Sequence, residues 1–156
     1  MRLLILIVLF FVPSLSLASD FQKGLEAIHE TNYEVALQKL MPLAEGGHSA
    51  AQYNLGVMNE WGNGVPKNYT DAFKWYKLSA ENSHKDAQNN LGAMYSKGEG
   101  TDQSFVDALK WFLIAAENGS EAGRKNIDIV EKRMTPEQIT KARKIAREWT
   151  KTHPRK

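Results

Sequence analysis

The chain has 156 residues, of which 42% are hydrophobic and 24% charged, a composition typical of one folded domain and not of a disordered or collagen-like chain. It has no cysteine, which excludes disulfides, thiolate-bound zinc, iron–sulfur clusters and cysteine nucleophiles. Its formal net charge of +2 gives no overall electrostatic reason to expect a nucleic-acid partner. Enzymes of other kinds and binding modules both remain open.

The first segment predicts an export signal. A positively charged start precedes the unbroken apolar run Leu3–Val12, and Ser16 and Ala18 occupy the small-x-small positions of a cleavage site. We predict a secretory signal peptide over residues 1–18, cleaved after Ala18, and a periplasmic or secreted mature chain. The alternative is an uncleaved anchor, but a membrane span needs about 20 apolar residues. Because Pro13 interrupts this run, we expect no transmembrane span in the mature chain.

A repeat of thirty-six residues organises the rest of the chain, residues 19–156. Residues 51–84 align with 87–120 without a gap, and fifteen of the thirty-four positions are identical. A fixed period of this length predicts a solenoid, whose terminal copies are atypical because each end faces water. The predicted units are a degenerate pair over 20–47, repeats over 48–83 and 84–119, and a C-terminal capping pair over 120–151.

Each repeat is predicted to form two helices. Ser49 with Gln52 three residues later indicates a capping-box start, and Gly62 ends the first helix because glycine accepts the left-handed conformation. Asn68 and Asp71 then begin the second helix as a cap and a first-turn acid. Apolar residues recur at helical spacing along the second helices. These are Ala72, Trp75, Tyr76 and Ala80, and then Ala108, Trp111, Phe112 and Ala116. The predicted fold class is all-α, an α-solenoid of about eight helices in four antiparallel pairs.

The repeated motif resembles a known family. The run Ala-Gln-x-Asn-Leu-Gly-x-Met-x-x-x-Gly-x-Gly, followed by Asp-Ala-x-Lys-Trp-(Tyr/Phe)-x-x-x-Ala, is similar to the Sel1-like repeat, a relative of the tetratricopeptide repeat. The resemblance covers about residues 20 to 150. The chain departs from the family pattern at Asn59 and Thr101, where the family prefers the residue types found at Tyr95 and Val65. The resemblance implies a right-handed superhelix of helix pairs that acts as an adaptor for other proteins.

The first helices of the pairs are expected to line a concave groove. Tyr53, Val57 and Trp61 lie four residues apart and form one apolar stripe along a helix, although Trp61 packed onto the following Gly-Asn-Gly turn is an open alternative. An asparagine recurs at positions 54, 90 and 126, and it either binds the backbone of an extended peptide or bonds to its own scaffold. The predicted partner-binding residues are Tyr53, Asn54, Val57, Trp61, Asn89, Asn90, Lys97, Lys125 and Arg133.

The sequence carries little catalytic chemistry. His48 and His84 lie one repeat apart, about 10 Å in stacked helices, so they cannot bind one zinc ion with bonds of about 2 Å. Hydrolase and phosphate-binding motifs are missing, and Asp71 and Asp107 are explained as helix caps. Some cysteine-rich relatives in the family have been linked to β-lactam binding or hydrolysis. Because this chain lacks their cysteines and a Ser-x-x-Lys motif, we expect no enzyme activity, no catalytic residue, no metal and no cofactor.

Charge is distributed unevenly along the mature chain. Residues 19–60 carry six acids and two lysines, net −4, whereas residues 121–156 carry eleven basic residues and five acids, net +6. The basic residues of the last helix either contact an acidic protein, an anionic lipid or a cell-wall polymer, or form an ordinary solvated face. They are Lys141, Arg143, Lys144, Arg147 and Lys151.

The sequence therefore predicts an exported, non-catalytic adaptor that binds a protein or peptide partner and no nucleic acid. Two alternatives remain. One is a cell-envelope hydrolase acting on β-lactams or peptidoglycan, and the other is a periplasmic regulator of a membrane sensor.

Overall fold

The computed structural model describes residues 13–153, and within these residues there are eight helices and no strand. The helices are α1 (Pro13–His29), α2 (Tyr33–Glu45), α3 (Ser49–Trp61), α4 (Tyr69–Glu81), α5 (Lys85–Lys97), α6 (Phe105–Glu117), α7 (Glu121–Glu131) and α8 (Pro136–Thr152). The predicted all-α solenoid is confirmed. The apolar run Leu3–Val12 lies outside the described residues, and the predicted cleavage point after Ala18 lies within α1, so cleavage stays a prediction.

Side chains cap the helices at their first residues, as the sequence predicts for most of them. Asn68 caps α4 by accepting from the backbone N–H of Asp71, and Thr135 forms a reciprocal capping box with Gln138 at α8. The prediction for α3 is wrong by one residue. The cap is His48, whose ring Nδ1 accepts from the backbone N–H of Ala51 at 3.2 Å, and Ser49 is the first helical residue.

Two glycines shape the turn within each repeat: the first ends a helix, and the second allows close packing. The first, Gly62 or Gly98, adopts φ of 75° or 74° and donates its N–H to the preceding helix, which ends the helix in the left-handed conformation. The second, Gly100 in the later repeat, also has positive φ, and a Cβ built on it would overlap the carbonyl oxygen of Tyr69. The turn after α5 therefore packs directly against the start of α4.

Consecutive helices pack on one another in chain order from α1 to α7. Small residues allow the close crossings within a repeat. A Cβ built on Gly56 would lie 2.6 Å from the ring of Tyr76, and one on Gly92 would lie 2.8 Å from the ring of Phe112. These glycines therefore let the neighbouring helices approach closely. The large aromatic rings of α4 and α6 fill the space so created.

The last helix departs from the pattern of antiparallel pairs. The main contact of α8 is α6, not its chain neighbour α7, and Ala142 and Ala146 are buried there. The three earlier hairpins each contain a residue with positive φ, such as Thr31 or Gly98, which reverses the chain. Residues 132–135 between α7 and α8 contain none, and α8 packs on α6 instead of folding back along α7. Helix α6 thus holds both members of the C-terminal cap.

Candidate functional site

The predicted apolar stripe on α3 divides into one exposed and two half-buried side chains. Trp61, the last residue of α3, keeps 67% of its surface accessible, which a ring packed onto the following turn would not. Tyr53 and Val57 are partly buried and pack against the central core. Burial of a partner side chain against this stripe would therefore mainly cover Trp61.

Contacts with two other rings hold Tyr53 in place. Its ring stacks on the ring of His84 with centroids 4.7 Å apart and planes inclined at 17°, and the ring of Tyr76 lies 5.9 Å away. The hydroxyl of Tyr76 donates to Oε2 of Glu60 at 2.6 Å, which fixes the Tyr76 ring beside Tyr53. Burial raises the pKa of Tyr53 and, more strongly, that of Tyr76, so both hydroxyls stay protonated at neutral pH.

The predicted asparagines form bonds with one another and with the scaffold. Asn54 donates to the carbonyl of Ala50 one turn earlier at 2.7 Å. Asn126 on α7 donates to Oδ1 of Asn89 on α5 at 2.9 Å, and Asn89 in turn donates to Asn90 at 3.4 Å. The Asn126–Asn89 bond joins α7 to α5 and helps to fix their relative position, whereas the Asn89–Asn90 bond lies within α5.

The predicted basic residues Lys97, Lys125 and Arg133 have different surroundings. Lys97 forms an ion pair with Glu99 at 3.5 Å, and the guanidinium of Arg133 lies 4.5 Å from the centre of the Phe105 ring. Lys125 is exposed on α7. Lys97 and Arg133 thus have different partners, the first a carboxylate and the second an aromatic ring.

Two buried glutamines are identical between the repeats, and Gln52 does not form the predicted capping box with Ser49. Gln52 donates its side-chain N–H to the carbonyl of Ala44 at 3.0 Å, and Gln88 does the same to Ala80 at 3.0 Å. Each thereby satisfies a carbonyl at the C-terminus of the preceding second helix. Asn118 then donates to Oε1 of Gln88 at 2.9 Å. Their recurrence thirty-six residues apart was the available signal, and their burial assigns them to the scaffold.

The described residues contain neither a metal-binding cluster nor a helix that could cross a membrane. Between residues 13 and 153, no group of three or more histidine, aspartate or glutamate side chains is arranged to hold a metal ion. No helix in that range combines the length and the apolar character that a bilayer span needs.

Comparison with known proteins identifies the repeats. The family model "Sel1 repeat" matches residues 49–84 and 85–120. A Sel1 repeat protein from Oxalobacter formigenes is 32% identical, with a TM-score of 0.68 over 74% of this chain and 90% of its own. This chain belongs to the Sel1-repeat family.

A second Sel1-like structure extends the match over most of the chain. A protective antigen present in uropathogenic Escherichia coli strains, displaying an SLR fold, is 29% identical with a TM-score of 0.82 over 86% of this chain. The chain spans 30% of that antigen's length. No curated protein matches significantly. Sel1-repeat proteins are generally protein-interaction scaffolds and typically non-catalytic.

Proposed function

We propose that this Sel1-repeat protein is an exported, non-catalytic adaptor that binds a partner protein or peptide in the groove lined by α3, α5 and α7. The observation that carries the proposal is Trp61, whose ring is 67% exposed beside the half-buried Tyr53 and Val57. Tryptophan and tyrosine are enriched among the residues that dominate interface energies. A regulator that acts on the periplasmic domain of a membrane sensor would be one form of such an adaptor.

The geometry of Tyr53 supports the same proposal. Its ring is fixed by His84 and Tyr76 before any partner arrives, so little side-chain entropy is lost on binding. At the other end of the groove, Lys97, Lys125 and Arg133 favour a partner segment with acidic residues. Helices α3, α5 and α7 thus offer an apolar anchor point at one end of the groove and a positive surface at the other.

A Tyr53→Ala, Trp61→Ala double variant tests the groove. We expect partner affinity to fall by about 2 kcal/mol or more, because two aromatic anchors are removed. The measurement is partner binding by the mature chain, with folding checked by circular dichroism.

The matched control is Leu78→Ala on α4, which is 43% exposed and lies outside the proposed groove. It should leave affinity unchanged. Unchanged affinity in a folded double variant would remove this groove from consideration, and the basic face of α8 would become the better candidate.

Export is tested by the mass of the mature protein. If the signal peptide is cleaved after Ala18, mass spectrometry of envelope protein should show a chain that begins at Ser19 and lacks the first part of α1. A full-length chain recovered from the cytoplasm contradicts this prediction.

A further inference from the structure

His84 joins the start of α5 to the groove residue Tyr53. Its Nδ1 accepts a hydrogen bond from the backbone N–H of Ala87 at 3.3 Å, which caps the helix. The same ring stacks face to face on Tyr53. One imidazole therefore performs two tasks, one in α5 and one in the proposed binding surface on α3.

The capping bond requires a neutral ring. Nδ1 accepts a hydrogen bond from an N–H only while its lone pair is free, which assigns the ring hydrogen to Nε2. Protonation of Nδ1 would turn it into a hydrogen-bond donor, which cannot bond to the backbone N–H of Ala87. It would also place a positive charge at the N-terminus of α5, the positive end of the helix dipole. A protonated His84 must therefore leave the cap, and in leaving it gives up its stacking on Tyr53.

We infer that His84 is a positioning residue for the groove, which holds Tyr53 in place while neutral and releases it when protonated. The effect on partner binding rests on the proposed function of the groove; the coupling of His84 to Tyr53 does not. The expected result is a groove that weakens its hold on a partner as the pH falls through the mildly acidic range.

The charged and titratable groups around His84 set the pH range. They are Tyr53 on α3, Lys85 and Asp86 on α5, and His48 at the start of α3. Burial lowers the pKa of His84 below its ordinary value, an effect that Asp86 opposes and that Lys85 and His48 reinforce. A base with a lowered pKa stabilises the fold above its unfolded pKa of about 6.5, and this stability is lost as the pH falls through the folded value.

The helix caps at the neighbouring repeat boundaries differ from His84 in what they contact. At the preceding boundary His48 caps α3, and Phe21 lies 4.5 Å from its ring at a tilt of 37°. At the following boundary the cap of α7 is Ser120, which does not titrate in this range. His84 is thus the capping histidine whose ring contacts a residue of the predicted partner-binding set.

Nuclear magnetic resonance of the mature chain tests the coupling without any partner. Between about pH 7.5 and about pH 5, we expect the ring signals of Tyr53 to shift with the same midpoint as the His84 ring. Amide exchange protection of Ala87 should fall by about tenfold over this range, the effect of losing a helix cap. His84→Asn should abolish both the pH-dependent shift of the Tyr53 signals and the loss of Ala87 protection, because asparagine caps a helix without titrating. His29→Asn, at an exposed residue of α1, should leave both steps intact.

Binding is measured with a peptide selected on the wild-type chain from a phage-displayed random library at about pH 7.5. We expect about tenfold weaker binding at about pH 5 for the wild type and no pH step for His84→Asn. Tyr53 signals that do not follow the His84 titration, or steps that survive in His84→Asn, would overturn the inference. If those signals do follow His84 but binding is insensitive both to pH and to the Tyr53→Ala, Trp61→Ala change, the proposed groove fails and the coupling stands.

Discussion

Replacing Trp111 with alanine should lower the free energy of unfolding by about 3–5 kcal/mol, the usual range for a large aromatic residue removed from a core. Trp111 is 4% exposed and lies in the central core cluster, with the ring of Trp149 on α8 at 5.3 Å. The cavity would open where α6 meets α8, and packing between these helices fixes the C-terminal cap. Urea denaturation followed by circular dichroism measures the change.

The control for Trp111 is a second tryptophan on the same chain. Trp61→Ala removes the same side chain from a site that is 67% exposed, so we expect a change within about 0.5 kcal/mol. A loss below about 1 kcal/mol for Trp111→Ala would show that the α6 surface is not packed as described.

Gly100→Ala should be the most damaging of the glycine substitutions in the turns, lowering the free energy of unfolding by about 2–4 kcal/mol. Its φ of 71° costs an alanine about 1–2 kcal/mol by itself. In addition, the new methyl group would overlap the backbone of Tyr69, which cannot move without shifting the start of α4. Thermal and urea unfolding of the variant check the size of the loss.

Gly119→Ala separates the two contributions. Gly119 has φ of 88°, but a Cβ built on it meets nothing within 4 Å. It should therefore show the backbone cost alone, about 1–2 kcal/mol. Equal losses at both positions would mean that the contact between the α5–α6 turn and Tyr69 contributes nothing to stability.

The repeated part of the fold was predictable because two copies of the sequence constrain each other. The matching stripes that begin at Ala72 and Ala108 marked the buried faces of the second helices, and Gly62 marked the end of a first helix. The packing of α8 was not predictable in this way, since the alignment of the two best copies ends at Ser120. Its position depends on packing against α6, which lies earlier in the chain.

The candidate site was predictable in its outline and less so in its details. Helical spacing placed Tyr53, Val57 and Trp61 on one face, and the structure gives Trp61 the expected exposure. The stacking of His84 on Tyr53 could not be foreseen, because it joins residues thirty-one positions apart through a tertiary contact. The cap at His48 was missed for a local reason: serine is a commoner helix cap than histidine, and Ser49 is the next residue.

The glutamine bonds constrain how the length of such a protein can change. Gln88 donates a hydrogen bond to a carbonyl at the end of α4 and accepts one from the side chain of Asn118. Each repeat thus supplies a hydrogen-bonding group to its neighbour. Adding one whole copy of residues 49–84 reproduces every such bond, since donor and acceptor arrive together. An insertion or deletion of any other size within these helices shifts the register and leaves a buried amide without its partner, at a cost of about 1–3 kcal/mol. The connections can differ in length, as those between α1 and α2 and between α3 and α4 do. Length variants that alter the helices of this array should therefore differ by complete repeats.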